Sequence, residues 1–252
     1  MERFSSFDGL SLAYSVTGAE AAGESVLLHH GFASSARVNW ERPGVVAALA
    51  DAGRRVVVFD ARGHGDSEAP HDPAAYAGGA MARDVVALLD HLGLEQVDMA
   101  GYSMGAFVTI ELAGKATEPR LRSLFLGGIG TAQLLGQRPP TETIAAALEA
   151  EDATSVADPS GRAFRYFADA TGQDRLALAA VQRAGRGVDL ELLGGISQPT
   201  LVVNGQSDTM AGDPADVAAL IPGARALSVP GDHLSAVMKP EFRQAMLDWA
   251  RR

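Results

Sequence analysis

The stretch Ala100-Gly101-Tyr102-Ser103-Met104-Gly105-Ala106 decides how the rest of the chain is read. Before it, Gln96 to Ala100 reads as a buried strand, and after it Phe107 to Ala113 reads as a helix. A residue at the apex of so tight a strand-to-helix turn is forced into a strained backbone conformation, so the positions two before and two after it must be nearly free of side chain. Gly101 and Gly105 meet that need. Such a turn lifts the Ser103 hydroxyl off a sheet and leaves the Met104 amide, at the start of the helix, free to donate to a developing oxyanion. The competing reading is a glycine-rich turn with an incidental serine, because a five-residue pattern recurs by chance.

Working outward, the flanking segments build a sheet around that turn. Arg3 to Phe7 and Leu10 to Val16 surround Asp8-Gly9, a strong hairpin signal, so the sheet starts antiparallel. Ser25 to His29 and Arg55 to Asp60 are continuous apolar strands separated by a helical stretch from about Gly44 to Ala52, which implies right-handed crossovers and a mainly parallel sheet. From Gly79 to Leu92 the apolar residues Val85, Leu88, Leu89 and Leu92 share one helical face, and Gly93 ends it. Leu121 to Leu126, Thr200 to Asn204 and Ala226 to Val229 are the sixth, seventh and eighth strands, and a closing helix runs from about Pro240 to Arg252.

The stretch from Thr131 to Gln198 is far longer than the dozen or so residues a crossover helix needs. Its patterns are helical: Thr141 to Glu151, with Thr141 as candidate N-cap, Ser160 to Ala170, and Asp174 to Ala184. They are punctuated by Pro139-Pro140, Asp158-Pro159 and Gly185-Arg186-Gly187. The expected organisation is a core of residues 1–130 and 199–252 with a helical cap at 131–198 over the C-terminal edge of the sheet. Apolar residues at helical spacing in it (Ile144, Ala147 and Leu148; Phe164, Tyr166 and Phe167; Leu176, Leu178 and Val181) are too many for so small a unit to bury internally. Several are therefore expected to line a pocket above Ser103. Arg162, Arg165, Arg175, Arg183 and Arg186 are read as mostly solvated.

Bulk composition sets limits. A chain of 252 residues with 47% hydrophobic content fits one large core. With no cysteine, disulfides, thiolate metal sites and a cysteine nucleophile are ruled out. The N-terminal residues show no apolar signal region and no segment approaches a membrane span, so a cytoplasmic protein without a membrane partner is expected. The formal charge of -10, with no compensating basic run, disfavours nucleic acid.

A serine needs an adjacent base, and the base an orienting acid. Among the histidines, His91 falls late in an amphipathic helix and His71 in a polar loop, and both read as surface residues. His29, His30 and His64 precede the serine and suit structural roles. His233, in Pro230-Gly231-Asp232-His233-Leu234, follows the last strand on the edge where Ser103 emerges. After the seventh strand, Asn204-Gly205-Gln206-Ser207-Asp208 offers Asp208 on the same edge, whereas Leu126-Gly127-Gly128-Ile129-Gly130 after the sixth has no carboxylate. Asp213 and Asp216 look like helix-initiating acids, and Asp232 is too near His233 to hold its far ring nitrogen. The order is nucleophile, acid, base.

With these motifs, together with His30-Gly31-Phe32 and Asp60-Ala61-Arg62-Gly63-His64-Gly65-Asp66-Ser67, the chain resembles the α/β-hydrolase superfamily over nearly its whole length. The resemblance implies an α/β fold with a mainly parallel eight-stranded sheet, helices on both faces and a helical cap inserted after strand 6. It implies Ser103 as nucleophile, Asp208 as acid, His233 as base, the backbone amides of Phe32 and Met104 as oxyanion hole, and a structural role for the Asp60 to Ser67 turn. Phe32, Tyr102, Phe164 and Phe167 are the candidate substrate contacts. Serine where haloalkane dehalogenases and epoxide hydrolases carry aspartate disfavours those activities. The expected function is hydrolysis of a small to medium ester, lactone or similar acyl bond of a small-molecule substrate, with no cofactor or metal. A C–C bond hydrolase, thioesterase, perhydrolase or ligand-sensing receptor would share the same residues, and neither substrate nor oligomeric state follows from the sequence.

Overall fold

The computed structural model describes residues 1–18, 24–135, 140–185 and 190–251. Pro139, Arg186, Gly187 and the terminal Arg252, named above, lie outside them. The strands are β1 (Glu2–Ser5), β2 (Ser11–Thr17), β3 (Ser25–His29), β4 (Arg55–Phe59), β5 (Val97–Tyr102), β6 (Leu121–Gly127), β7 (Thr200–Gly205) and β8 (Arg225–Val229). They form one sheet in the order β1-β2-β4-β3-β5-β6-β7-β8. The β1–β2 and β2–β4 pairs are antiparallel and the rest parallel. The expected mixed sheet is observed, with β5 reaching two residues beyond the expected Ala100 to bring Tyr102 into the ladder with Gly127.

Helices cover both faces: α1 (Val45–Asp51) and α10 (Pro240–Ala250) on one, α2 (Ala80–His91) and α3 (Met104–Gly114) on the other. The sides follow from strand alternation. On β3, Val26 and Leu28 pack with Trp40, Phe242 and Trp249, while Leu27 packs with Leu88, Leu89 and Ile110. Each such fully buried large side chain contributes roughly 1.5–3 kcal/mol, and the two layers clamp β5 so that its C-terminal end has little freedom.

Between β6 and β7 come α4 (Thr131–Leu134), α5 (Thr141–Glu149), α6 (Pro159–Thr171), α7 (Arg175–Arg183) and α8 (Glu191–Gly194), and α9 (Pro214–Ala218) follows β7. Thr141 is not the N-cap of α5; Pro140 is, and Thr141 is the first helical residue. Asp158 and Asp174 cap α6 and α7 through their side chains, accepting from Gly161 N and from Leu176 and Ala177 N. Ile144, Ala145, Leu148, Ala168, Leu178 and Ala179 form a small core among α5, α6 and α7. Arg165 corrects the expectation of solvated arginines: it is buried, bonding Asp169 and the carbonyls of Ala150 and Glu151. Arg175 likewise bonds the carbonyls of Leu148 and Ala150, so both guanidinium groups satisfy the C-terminal end of α5. Among the described residues no helix is long and apolar enough to cross a membrane.

Candidate active site

Ser103 has φ 51° and ψ −107°, a conformation L-residues rarely adopt. Close packing enforces it. A Cβ on Gly101 would sit 2.2 Å from the carbonyl oxygen of Gly105, and one on Gly105 would sit 2.2 Å from that of His29. The Ser103 amide donates to Gly127 O at 2.7 Å, which fixes the turn to β6.

The loops after β7 and β8 converge on the serine. His233 Nε2 lies 3.1 Å from Ser103 Oγ, and His233 Nδ1 lies 2.8 Å from Asp208 Oδ2. A proton on Nδ1 closes this chain, leaving Nε2 to accept from the serine hydroxyl. Asp208 is buried, and its other oxygen accepts from the amides of Met210 (3.0 Å) and Ala211 (2.9 Å). Three N–H donors thus hold its carboxylate in place. The two loops are joined by a bond from Ser207 N to Gly231 O at 3.0 Å. Asp213 caps α9 and Asp232 caps its own turn, accepting from Leu234 and Ser235 amides, so neither reaches the histidine.

Tyr102 has a second use that the sequence did not disclose. Its hydroxyl donates to the His233 carbonyl at 2.7 Å, pinning that residue's backbone, and burial pushes the phenol's pKa up, with Asp208 and Asp232 adding to the effect. The missing carboxylate after β6 also has a steric reason. A Cβ on Gly128 would lie 2.9 Å from the Tyr102 ring and 3.2 Å from His233 Cε1.

The amides of Phe32 and Met104 accept no competing assignment: neither has an acceptor among the described residues. Gly31 O receives His30 Nδ1 at 2.8 Å and Ser34 N at 3.3 Å. In a trans peptide N–H opposes C=O, so anchoring the Gly31 carbonyl turns the Phe32 N–H the other way. His30 Nε2 accepts from Ala61 N at 3.0 Å, which leaves that ring holding two loops together. Around Asp60 the turn is closed by bonds from Ala36 N and Asp66 N to its carboxylate and from Ser67 Oγ to its carbonyl. His64 is buried in that turn, its ring edge-on to Phe32 and its Nδ1 3.0 Å from the Arg62 carbonyl oxygen. His71 bonds Asp174 at the surface. His91 is exposed yet stacks on Phe4 and reaches the Tyr14 hydroxyl.

A cavity of about 650 Å³ lies over Ser103 and His233. Of the four expected contacts, Phe32, Tyr102, Phe164 and Phe167 all line it, as do Ile144 and Val181. Leu148 and Leu178 turn instead into the inserted helices' own core, and Tyr166 and Leu176 face solvent. Among the described residues that line it there is no Asp, Glu, Lys or Arg; the polar ones include Asn39, Gln133, Thr141 and Gln182. Among the described residues no cluster of three or more His, Asp or Glu is arranged to hold a metal ion.

Comparison with known proteins places this geometry in a family. The family model for the alpha/beta hydrolase fold matches residues 24–240. Over 224 residues, 80% of this chain and 80% of the relative, the sequence is 34% identical to a Variovorax paradoxus protein bearing the name carbamate hydrolase RutD. A solved hydrolase from Pseudomonas aeruginosa is similar with a TM-score of 0.78 at 32% identity, over 98% of this chain and 97% of that one. A thermophilic esterase from Thermogutta terrifontis is similar with a TM-score of 0.77 at 27% identity, over 100% and 98%. The elbow, the order of its partner loops and these matches lead to one conclusion: the chain belongs to the alpha/beta hydrolase fold family.

Proposed function

We propose that the protein is a serine hydrolase that cleaves a small to medium, uncharged ester, lactone or similar acyl bond through an acyl-enzyme. The observation that carries this reading is the unbroken chain from Asp208 through His233 to Ser103, ending in an apolar cavity. In this scheme Ser103 Oγ attacks the carbonyl carbon as its proton passes to His233 Nε2. The oxyanion is received by the Phe32 and Met104 amides, and Asp208 stabilises the imidazolium. Collapse breaks the bond to the leaving oxygen, which takes the proton from His233. Water then repeats the sequence on the acyl carbon and frees Ser103.

The described part of the lining supports a neutral substrate. An ionised group placed where no charged partner waits would lose its hydration without compensation. The cavity volume is that of a site for a compact ligand. Residues 131–198 act, in this reading, as the cap that closes it over a core of residues 1–130 and 199–252. The likeness to the RutD relative favours one further substrate class, a carbamate, in which the same attack would be followed by loss of an amine or alcohol.

A panel of p-nitrophenyl esters from acetate to dodecanoate, with a p-nitrophenyl carbamate alongside, tests the proposal. Turnover of acetate and butyrate with kcat/KM falling by decanoate is expected, each accommodated methylene adding no more than about 0.8 kcal/mol. A profile still rising at dodecanoate would overturn the closed-cap, small-substrate reading. Preference for the carbamate would move the substrate class.

A further inference from the structure

The loop carrying Phe32 is held from two sides by groups of different origin. On the core side, Asn39 Oδ1 accepts from Gly31 N at 3.0 Å, and the Gly31 carbonyl is anchored as described above. On the other side, Thr171, the last residue of α6, approaches the Ala33 carbonyl oxygen to 2.9 Å through Oγ1. Ala33 lies between, fully buried against the core of the inserted helices, with φ 56°. A non-glycine residue stays in that conformation only where its surroundings over-determine it.

Thr171 has one hydroxyl proton and three acceptors in reach: Ala33 O at 2.9 Å, Phe167 O at 2.7 Å and Ala168 O at 3.2 Å. Ala168 O already receives Gln173 N, and Phe167 O occupies the i−4 position of the helix, where the backbone amide of Thr171 serves it. Ala33 O has no other donor among the described residues. A buried carbonyl without a partner is destabilising, so the proton is best used there.

We propose that Thr171 is a positioning residue for the oxyanion donor: its hydroxyl holds Ala33 in the left-handed conformation that keeps the Phe32 amide aimed at the reacting oxygen. The inference rests on the acyl-transfer reading above. It also gives the inserted helices a role in rate as well as in selection. Phe164 and Phe167 line the cavity on the helix that ends in Thr171, and Phe164 packs edge-on to Phe32, with ring centroids 5.6 Å apart. Whatever seats α6 on the core therefore also sets the Phe32 amide.

Thr171→Val keeps the shape and removes the proton. With p-nitrophenyl butyrate it should lower kcat about ten- to a hundredfold, short of the loss from deleting an oxyanion donor, with KM within about twofold. An alkyl trifluoromethyl ketone, whose serine adduct places an oxyanion at that amide, should bind more weakly by the same factor as kcat/KM falls. Thr171→Ser should restore both. Gln173→Leu removes the neighbouring tie of α6 to the core, the Gly65 N to Gln173 Oε1 bond at 2.9 Å, and should leave kcat within about twofold. Should Val at 171 fold poorly, Thr171→Ala gives the same comparison.

Unchanged kcat in the Thr171 variants, equal losses in the Thr171 and Gln173 variants, or a Ser variant as slow as Val would each overturn the proposal. Failure of the underlying reading looks different. The wild type would not be labelled by a fluorophosphonate, or Ser103→Ala would turn over as fast as wild type, and both proposals would then fall together.

Discussion

Two chains of hydrogen-bonded polar groups run through the interior, and they differ in one respect that matters. One links Ser103, His233 and Asp208. The other links Asp8, Arg62, Asp84 and Ser6, with Arg62 Nη1 on Asp8 at 2.9 Å, Nη2 on Asp84 at 2.6 Å and Nε on Asp84 at 2.7 Å. Each places a buried aspartate against a nitrogen base. In the second the central group is a guanidinium, which keeps its charge at any pH the protein survives, and its side chain is 0% exposed. In the first the central group is an imidazole, which can exist neutral or charged, and its far nitrogen faces a cavity. Burial and ion pairing are common to both. A middle member able to change charge and an open end distinguish the site from the staple.

The largest effect expected on this contrast is that of Ser103→Ala, which should remove about four to six decades of kcat while the thermal midpoint stays near the wild-type value. Residual turnover above a few per cent would erase the distinction. Asp208→Asn should cost about two to four decades in kcat with KM unchanged, because the amide can hold the ring but cannot offset the imidazolium. Asp213→Asn and Asp216→Asn should cost almost nothing by the same assay.

Asp84→Ala should behave in the opposite way. It removes the fully buried partner of Arg62, leaving the guanidinium with the part-exposed Asp8, and should lower unfolding stability by about 3–5 kcal/mol in denaturant titration, with kcat per folded molecule changed by less than about threefold. Burial pushes the Asp84 carboxyl above its usual range, with Arg62 and Ser6 pulling it back, so its protonation in acid does not withdraw stability from the fold. That of Asp8 does. Burial raises its pKa, but the bond and charge of Arg62 outweigh that and leave it lowered. A depressed carboxylate contributes stability that is present above its unfolded value and lost as pH falls through the folded one. Asp8→Asn should flatten that acid limb below about pH 4 and cost less than about 1 kcal/mol at pH 7, since Asp8 is a third exposed.

The sheet and its serine elbow were legible because they rest on strong local constraints. Continuous apolar runs such as Val56 to Phe59 have few alternatives to a doubly covered strand, and the elbow glycines have almost none. Asp208 and His233 could be found because strand ends of a parallel sheet share an edge, so chain position predicts proximity. The inserted helices were read less well. Their apolar residues repeat at helical spacing whether they face the cavity, as Phe164 and Val181 do, or each other, as Leu148 and Leu178 do, and spacing does not separate those cases. Arg165 was misread for the same reason, because its partners are carbonyls, which any sequence supplies. Asn39, Tyr102 as a brace and Thr171 act through single long-range bonds that no local pattern announces.

The position of β8 carries a consequence for how the protein ages and fails. It is one of the sheet's two edge strands, paired with β7, and Arg225 to Ser228 are exposed along it. His233 hangs from the loop just beyond. Edge strands open more readily than the layers they border, by fraying that leaves the rest of the molecule intact. The proposed base is thus mounted beside a rim of the sheet, while the proposed nucleophile is rooted in its middle. On warming or in mild denaturant, activity should fade as a local event, ahead of any loss of secondary structure, and return when the rim recloses.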